Sequence, residues 1–139
     1  MALRTISSII KEAEEQTTPK KQAQVLKNNS SAALKMVIGC AMDPKVKWLL
    51  PNGDPPYRPL PKAADAESRL YSDARMIDYL VDSAIGKGVA QVKREQIFTN
   101  LLESVDPDDA VLLIRCKDKK LNIALEAVKQ AFPNMTKDW

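Results

Sequence analysis

Apolar residues recur along this chain at intervals of three and four, and alternation at intervals of two is nearly absent. That pattern leaves helices, not strands, as the elements the chain can bury. Ile6, Ile9, Ile10 and Ala13 trace one face of a helix over about 4–16. Thr18-Pro19 reads as an N-cap followed by proline at the first helical position, opening a short polar helix over 20–27. Asn28-Asn29-Ser30 breaks that helix, and Ser30 or Ser31 caps the next one. There Ala33, Leu34, Val37, Ile38, Ala41 and Met42 form a paired apolar stripe. Asp43-Pro44 restarts a short turn carrying Val46, Trp48, Leu49 and Leu50.

Residues 51–64 contain five prolines and cannot be regular structure, because proline lacks the amide donor and fixes φ. A helix over roughly 65–85 is predicted next, with Met76, Ile77, Leu80, Val81, Ala84 and Ile85 on one face and Leu70 and Tyr71 in a preceding turn; Gly86-Lys87-Gly88 ends it. A helix over 90–104 presents Ile97, Phe98, Leu101, Leu102 and, just past its end, Val105. Asp106-Pro107 is a second cap-plus-proline start, with Asp108 and Asp109 suited to the positive end of the helix dipole. The helix it opens carries Ala110 and the run Val111-Leu112-Leu113-Ile114, so it is apolar nearly all round and belongs at the centre. A last helix, near 124–132, carries Leu125, Val128 and Phe132 and stops at Pro133. The expected fold is an all-α, single-domain bundle of about seven helices over 1–139, with 51–64 as a proline-rich loop and 134–139 as a short tail.

Composition narrows the chemistry. Only 5% of the residues are aromatic, so aliphatic side chains and methionine must fill the core. There is no histidine, which removes the commonest general base and zinc ligand. Cys40 and Cys116 each sit among apolar neighbours and read as buried free thiols. No apolar run approaches membrane-spanning length, and Met1-Ala2-Leu3-Arg4 lacks the apolar core of a signal peptide, so a cytoplasmic or nucleoid-associated protein is expected. The net charge of +3 is too mild for a histone-like protein and permits a local basic face.

Three features stand above a generic helical chain. Gly86-Lys87-Gly88-Val89 joins two strong helices; glycines allow positive φ and close approach to backbone amides. Amides at the start of the 90–104 helix, with Lys87 and Lys93, suit a phosphate, although a glycine pair between helices is by itself only a tight turn. Lys117-Asp118-Lys119-Lys120-Leu121-Asn122 is a second loop feeding a helix start, with a solvated connection as the plain alternative. The proline-rich loop offers Tyr57, Arg58 and Lys62, either as a spacer or as contact residues. Catalytic chemistry finds no footing: there is no P-loop, and no serine or cysteine has a base beside it. The carboxylate groups Glu12, Glu14, Glu15 and Asp106, Asp108, Asp109 are expected on exposed helix ends, where capping and solvation account for them.

Residues 86–125, from Gly-Lys-Gly-Val through Ile97…Leu101-Leu102, Pro107…Asp109-Ala110…Leu113…Arg115 to Leu121-Asn122-Ile123-Ala124-Leu125, resemble the N-terminal DNA-binding domain of ATP-dependent DNA ligases. The Lys20-to-Asn29 helix followed by an apolar helix is similar to the opening of the bacteriophage-type enzymes, so the likeness spans about 4–133. It implies an all-helical domain lying on the minor-groove side of double-stranded DNA and touching the phosphate backbone through interhelical turns. The contacts it assigns are Gly86, Lys87, Gly88 and Lys93 in one turn and Lys119, Lys120, Asn122 and Ala124 in the other. Val89 stands where that family has serine, and Asn122 and Ala124 where it has arginine and glycine. Counted back from Phe132-Pro133, the register puts Asn122 at the glycine instead. The ligase adenylation motif Lys-x-Asp-Gly-x-Arg does not occur in the 139 residues. The resemblance therefore implies a DNA-binding domain standing alone, without enzymatic activity, cofactor, metal or small-molecule substrate, and serving phage DNA replication or repair. The alternative is an adaptor that keeps the fold and docks on a replication or transcription protein through Trp139, on an exposed C-terminal end.

Overall fold

The computed structural model describes residues 4–61 and 66–139, so Met1, Ala2, Leu3 and Lys62 lie outside the described residues. Thr5 accepts the Ser8 amide and starts α1 (Ile6–Glu14); Thr18 accepts that of Lys21 and, with Pro19 at the first position, starts α2 (Pro19–Asn28). Of the two serines at the next boundary it is Ser31 that caps α3 (Ala32–Met42), taking the Leu34 amide. After the proline-rich segment come α4 (Arg69–Asp73), a 3-10 turn (Ala74–Tyr79) and the one-turn α5 (Ala84–Lys87). The longer α6 (Gln91–Ser104) follows, then α7 (Pro107–Lys117), whose Asp106 cap takes the Asp108 amide, and α8 (Leu125–Ala131). The all-α expectation holds, with eight α-helices and no strand among the described residues.

The predicted 65–85 helix is a correction. Its apolar spacing is real, but the chain tightens into a 3-10 turn at Ala74 and leaves helix altogether by Val81, which pairs antiparallel with Trp48. The Leu49 amide donates to Leu80 O (2.9 Å) and the Asp82 amide to Lys47 O (2.9 Å), so 47–49 and 80–82 form a miniature ladder. These bonds satisfy backbone that the Asp43–Leu50 connection would otherwise leave open. Ile85, expected on the core face, is exposed.

The bundle is organised around α7, which packs on α3, α6 and α1, while α2 lies against α1 and α8. Leu112, Leu113, Ile114 and Cys116 of α7 are buried with Leu34, Val37 and Ile38 of α3 and Leu101 and Leu102 of α6 in one continuous apolar core. Val111 is the exception, half exposed at the α1–α7 groove. Cys40 and Cys116 are both free and buried, and their thiols meet across the α3–α7 interface; burial holds the Cys40 thiol well above its ordinary range.

Asp109 overturns a second expectation. It sits on α7's first turn with its neighbours Asp106 and Asp108, yet it is fully buried rather than solvated. Its Oδ1 accepts the Ser7 amide at 2.8 Å, supplementing Thr5 at the start of α1, and Oδ2 has no partner. Loss of hydration is the main reason its carboxyl pKa rises to about 6.

Candidate nucleic-acid interface

The first lysine corner is built differently from the expectation. Neither Gly86 nor Gly88 has positive φ; among the described glycines only Gly53 does. Gly86 is buried, and a Cβ there would lie 1.8 Å from Val81 O and 3.0 Å from Asp78 O, so its missing side chain is what lets the turn press onto the ladder. The amides of the turn are consumed internally. Gly86 donates to the Ser83 hydroxyl (2.9 Å), Lys87 to Ser83 O, Gly88 to Ile85 O and Val89 to Gly86 O. Backbone donors for an anion therefore begin one step later, at α6. Its cap, Ala90, offers no side-chain acceptor, and the Gln91 and Val92 amides have none among the described residues. Lys87 and Lys93 flank that helix start, both exposed and neither in an ion pair.

Beneath the turn lies Arg94, which sequence reasoning missed. It is only 7% exposed, and its Nη2 donates to Gly86 O and Val89 O, both at 2.8 Å, while Nη1 meets Gln91 Oε1. Its Nε has no partner, and no carboxylate pairs with it among the described residues. The signal for its burial was present: Arg94 stands four residues before Phe98 and seven before Leu101, on the stripe that faces the core. Its fork clamps the turn from below and adds a cation under the helix start.

The second corner closes α7. Lys119 adopts φ +58, with its amide on Cys116 O and the Lys120 amide on Arg115 O, the paired bonds of a Schellman ending. Lysine holds the left-handed position that glycine usually takes. The Lys119 ammonium donates to Asp43 O at 3.1 Å, tying the end of α7 to the end of α3. Burial lowers its pKa, opposed chiefly by Cys40 and Asp43, and Asp82 also lies within electrostatic reach. Lys120 is exposed and unpaired, so of the two it is the one free to meet a phosphate. The neighbouring Lys117, by contrast, is buried and held by Pro51 O (3.0 Å) and Asp118 Oδ1 (2.6 Å).

Asn122 and Ala124 have their amides occupied within the chain. Glu14 Oε2 accepts the Asn122 amide at 2.7 Å and also holds Arg115, and Gln22 Oε1 accepts the Ala124 amide at 3.0 Å. A carboxylate of α1 thus sits where the resemblance puts a phosphate. Ala124 is extended and Lys119 is the one non-glycine residue of positive φ among those described, so neither register's family glycine corresponds to a strained position here. In the proline-rich loop, Tyr57 is half-buried against the core and Glu103 accepts the Arg58 amide (2.8 Å). The C-terminal end is not the free aromatic anchor expected: Met135 and Trp139 pack half-buried against the core, and Thr136 is buried.

The two corners are joined through one short stretch of chain. Asp43, which accepts from Lys119, opens the turn that leads to Lys47; Lys47 is laddered to Asp82, and Asp82 precedes the Ser83 cap of the Lys87 turn. Elsewhere, a cleft of about 400 Å³ between residues 50–56 and α6 is lined by Phe98, Glu95, Thr99 and Lys117. No cluster of three acidic or cysteine side chains is arranged to hold a metal, and no helix is long and apolar enough to cross a membrane, among the described residues. A family model described as a family of unknown function, DUF6433, matches residues 9–123. No curated protein and no solved structure matches the chain.

Proposed function

The chain belongs to that family of unknown function, DUF6433, and we propose from the geometry of its lysine-bearing flank that it is a non-enzymatic protein that binds duplex DNA through the sugar-phosphate backbone. The observation carrying this is the junction of the two lysine corners through the 47–49 and 80–82 ladder, which lets both face one polyanion. Lys87, Lys93 and Lys120 supply free ammonium groups, the uncapped start of α6 supplies amides, and Arg94 adds charge beneath them. Backbone contacts of this kind position a protein without reading bases, so binding is largely indifferent to sequence. The resemblance to the ligase DNA-binding domain adds the minor-groove side of the duplex, a cytoplasmic setting and a place in phage DNA replication or repair.

The test is an electrophoretic shift with nicked, intact and single-stranded DNA at two salt concentrations. Each neutralised phosphate contributes about 0.9 to the slope of log affinity against log salt, so contacts by the three free ammonium groups of Lys87, Lys93 and Lys120 give a slope of roughly −2.7. Lys87→Glu and Lys120→Glu each weaken binding to all duplex sequences alike. Absence of a shift with either duplex, or a shift insensitive to salt, rules the proposal out.

A further inference from the structure

We infer that the Asp43–Lys47 turn is the third contact of this flank, with Lys45 and Lys47 gripping duplex phosphates between the two corners; the inference rests on the DNA-binding proposal and extends it to residues outside the ligase-like turns.

The turn is fixed at both ends. Its first residue receives the Lys119 ammonium on its carbonyl, and its last is held twice by Asp82: the Lys47 amide donates to the Asp82 carboxylate Oδ1 (3.0 Å) and the Asp82 amide to Lys47 O (2.9 Å). Just beyond, Trp48 is pinned to the core by its indole N–H on Cys40 O (2.8 Å) and by an edge contact with Phe98. A segment held this way cannot swing clear of whatever lies on the flank, and ordering it costs little on binding. Lys45 and Lys47 are exposed, and their ammonium groups make no hydrogen bond or ion pair among the described residues.

The two aspartates beside the turn each have a carboxylate oxygen engaged by a backbone amide. Asp43 Oδ1 takes the Lys45 amide at 2.9 Å, and Asp82 Oδ1 takes that of Lys47. Five lysines (45, 47, 87, 119 and 120) therefore share this strip with two aspartates engaged by backbone, a local excess equal to the net charge of the whole chain, +3. A chain so nearly balanced that gathers its surplus in one rigid strip fits a regularly spaced polyanion better than an isolated anion.

The experiment measures duplex binding by fluorescence anisotropy across a salt series for wild type, Lys45→Gln/Lys47→Gln and Lys20→Gln/Lys21→Gln. The last pair makes the same charge change on α2, which packs against α1 and α8. Neutralising Lys45 and Lys47 is expected to flatten the log–log slope by about 1.8 and weaken binding about tenfold or more at moderate salt, with the α2 pair leaving the slope unchanged. All three proteins are expected to share one thermal midpoint, since the side chains of neither pair make a hydrogen bond or ion pair among the described residues. A wild-type protein that binds duplex with a slope the 45/47 pair does not alter overturns this inference and leaves the DNA-binding proposal standing. No duplex binding by wild type overturns both. Polyglutamate bound as tightly as duplex, and lost in the same variant, overturns the assignment to nucleic acid.

Discussion

Replacing Asp109 by asparagine should turn an acid-stabilised protein into one whose stability is flatter with pH. The carboxyl is fully buried and its pKa rises from the ordinary 3.8 to about 6, with burial as the largest cause and the Asp106 and Asp108 charges adding to it against the Ser7 hydrogen bonds. A raised carboxyl pKa means that the folded protein binds the proton more tightly than the unfolded chain. The associated stability is fully present below about pH 3.8 and is lost as pH rises through about 6. Two units at about 1.4 kcal/mol each make the loss about 3 kcal/mol by neutral pH. The amide side chain of the variant would keep an oxygen for the Ser7 amide while its NH2 group falls where Oδ2 lacks a partner, an unpaired-donor cost of about 1–2 kcal/mol at every pH. The Asp109→Asn variant is therefore expected to be less stable than wild type near pH 3.5 and about 1–2 kcal/mol more stable at pH 7. Urea melts at pH 3.5, 5, 6 and 7 read this directly. With about 2 kcal/mol per molar for a chain this size, the difference in midpoint should swing by roughly 1.5 M. Because the other carboxylates titrate in both proteins, only the difference between the curves matters. Parallel curves would refute the assignment of that proton to Asp109.

Other perturbations probe the corners. Gly86→Ala drives a methyl onto the Val81 and Asp78 carbonyls and should cost about 2–4 kcal/mol in a denaturant melt; an unchanged midpoint would mean the turn is not pressed against the ladder. Lys119→Gly relieves a left-handed lysine worth about 1 kcal/mol and gives up one exposed hydrogen bond, so the thermal midpoint should rise slightly while duplex affinity falls. A fall in both would show the ammonium tie to Asp43 outweighing the backbone strain. Leu34→Ala, at the fully buried centre of the α3–α7 contact, should cost about 2–5 kcal/mol by the same melt.

What the sequence disclosed was local. Thr18-Pro19, Ser31 and Asp106-Pro107 mark helix starts because a cap satisfies amides two or three residues on, and each does so here. The apolar stripes of α3, α6 and α7 were legible for the same reason. The apolar spacing of 65–85 does not disclose its break, because Val81 answers to Trp48, 33 positions earlier in the chain, and helical spacing is blind to such a partner. Asp109 looked like a surface cap until Ser7, 102 residues away, arrived above it. At the site, lysine-bearing turns were visible as charge next to helix starts, but whether their amides were free depended on Ser83, Glu14 and Gln22, which only the folded chain brings there. Arg94 sits on the core stripe of α6, yet its residue type argues against burial, because arginine is rarely buried without a carboxylate.

The most direct test of the DNA-binding flank is to follow the backbone amides of the labelled protein by NMR as an intact DNA duplex is added. The amides of 43–48, 86–93 and 119–121 should move together and saturate at one stoichiometry, with little change along α2. Movement confined to 133–139, or spread over the surface without saturation, would contradict the account.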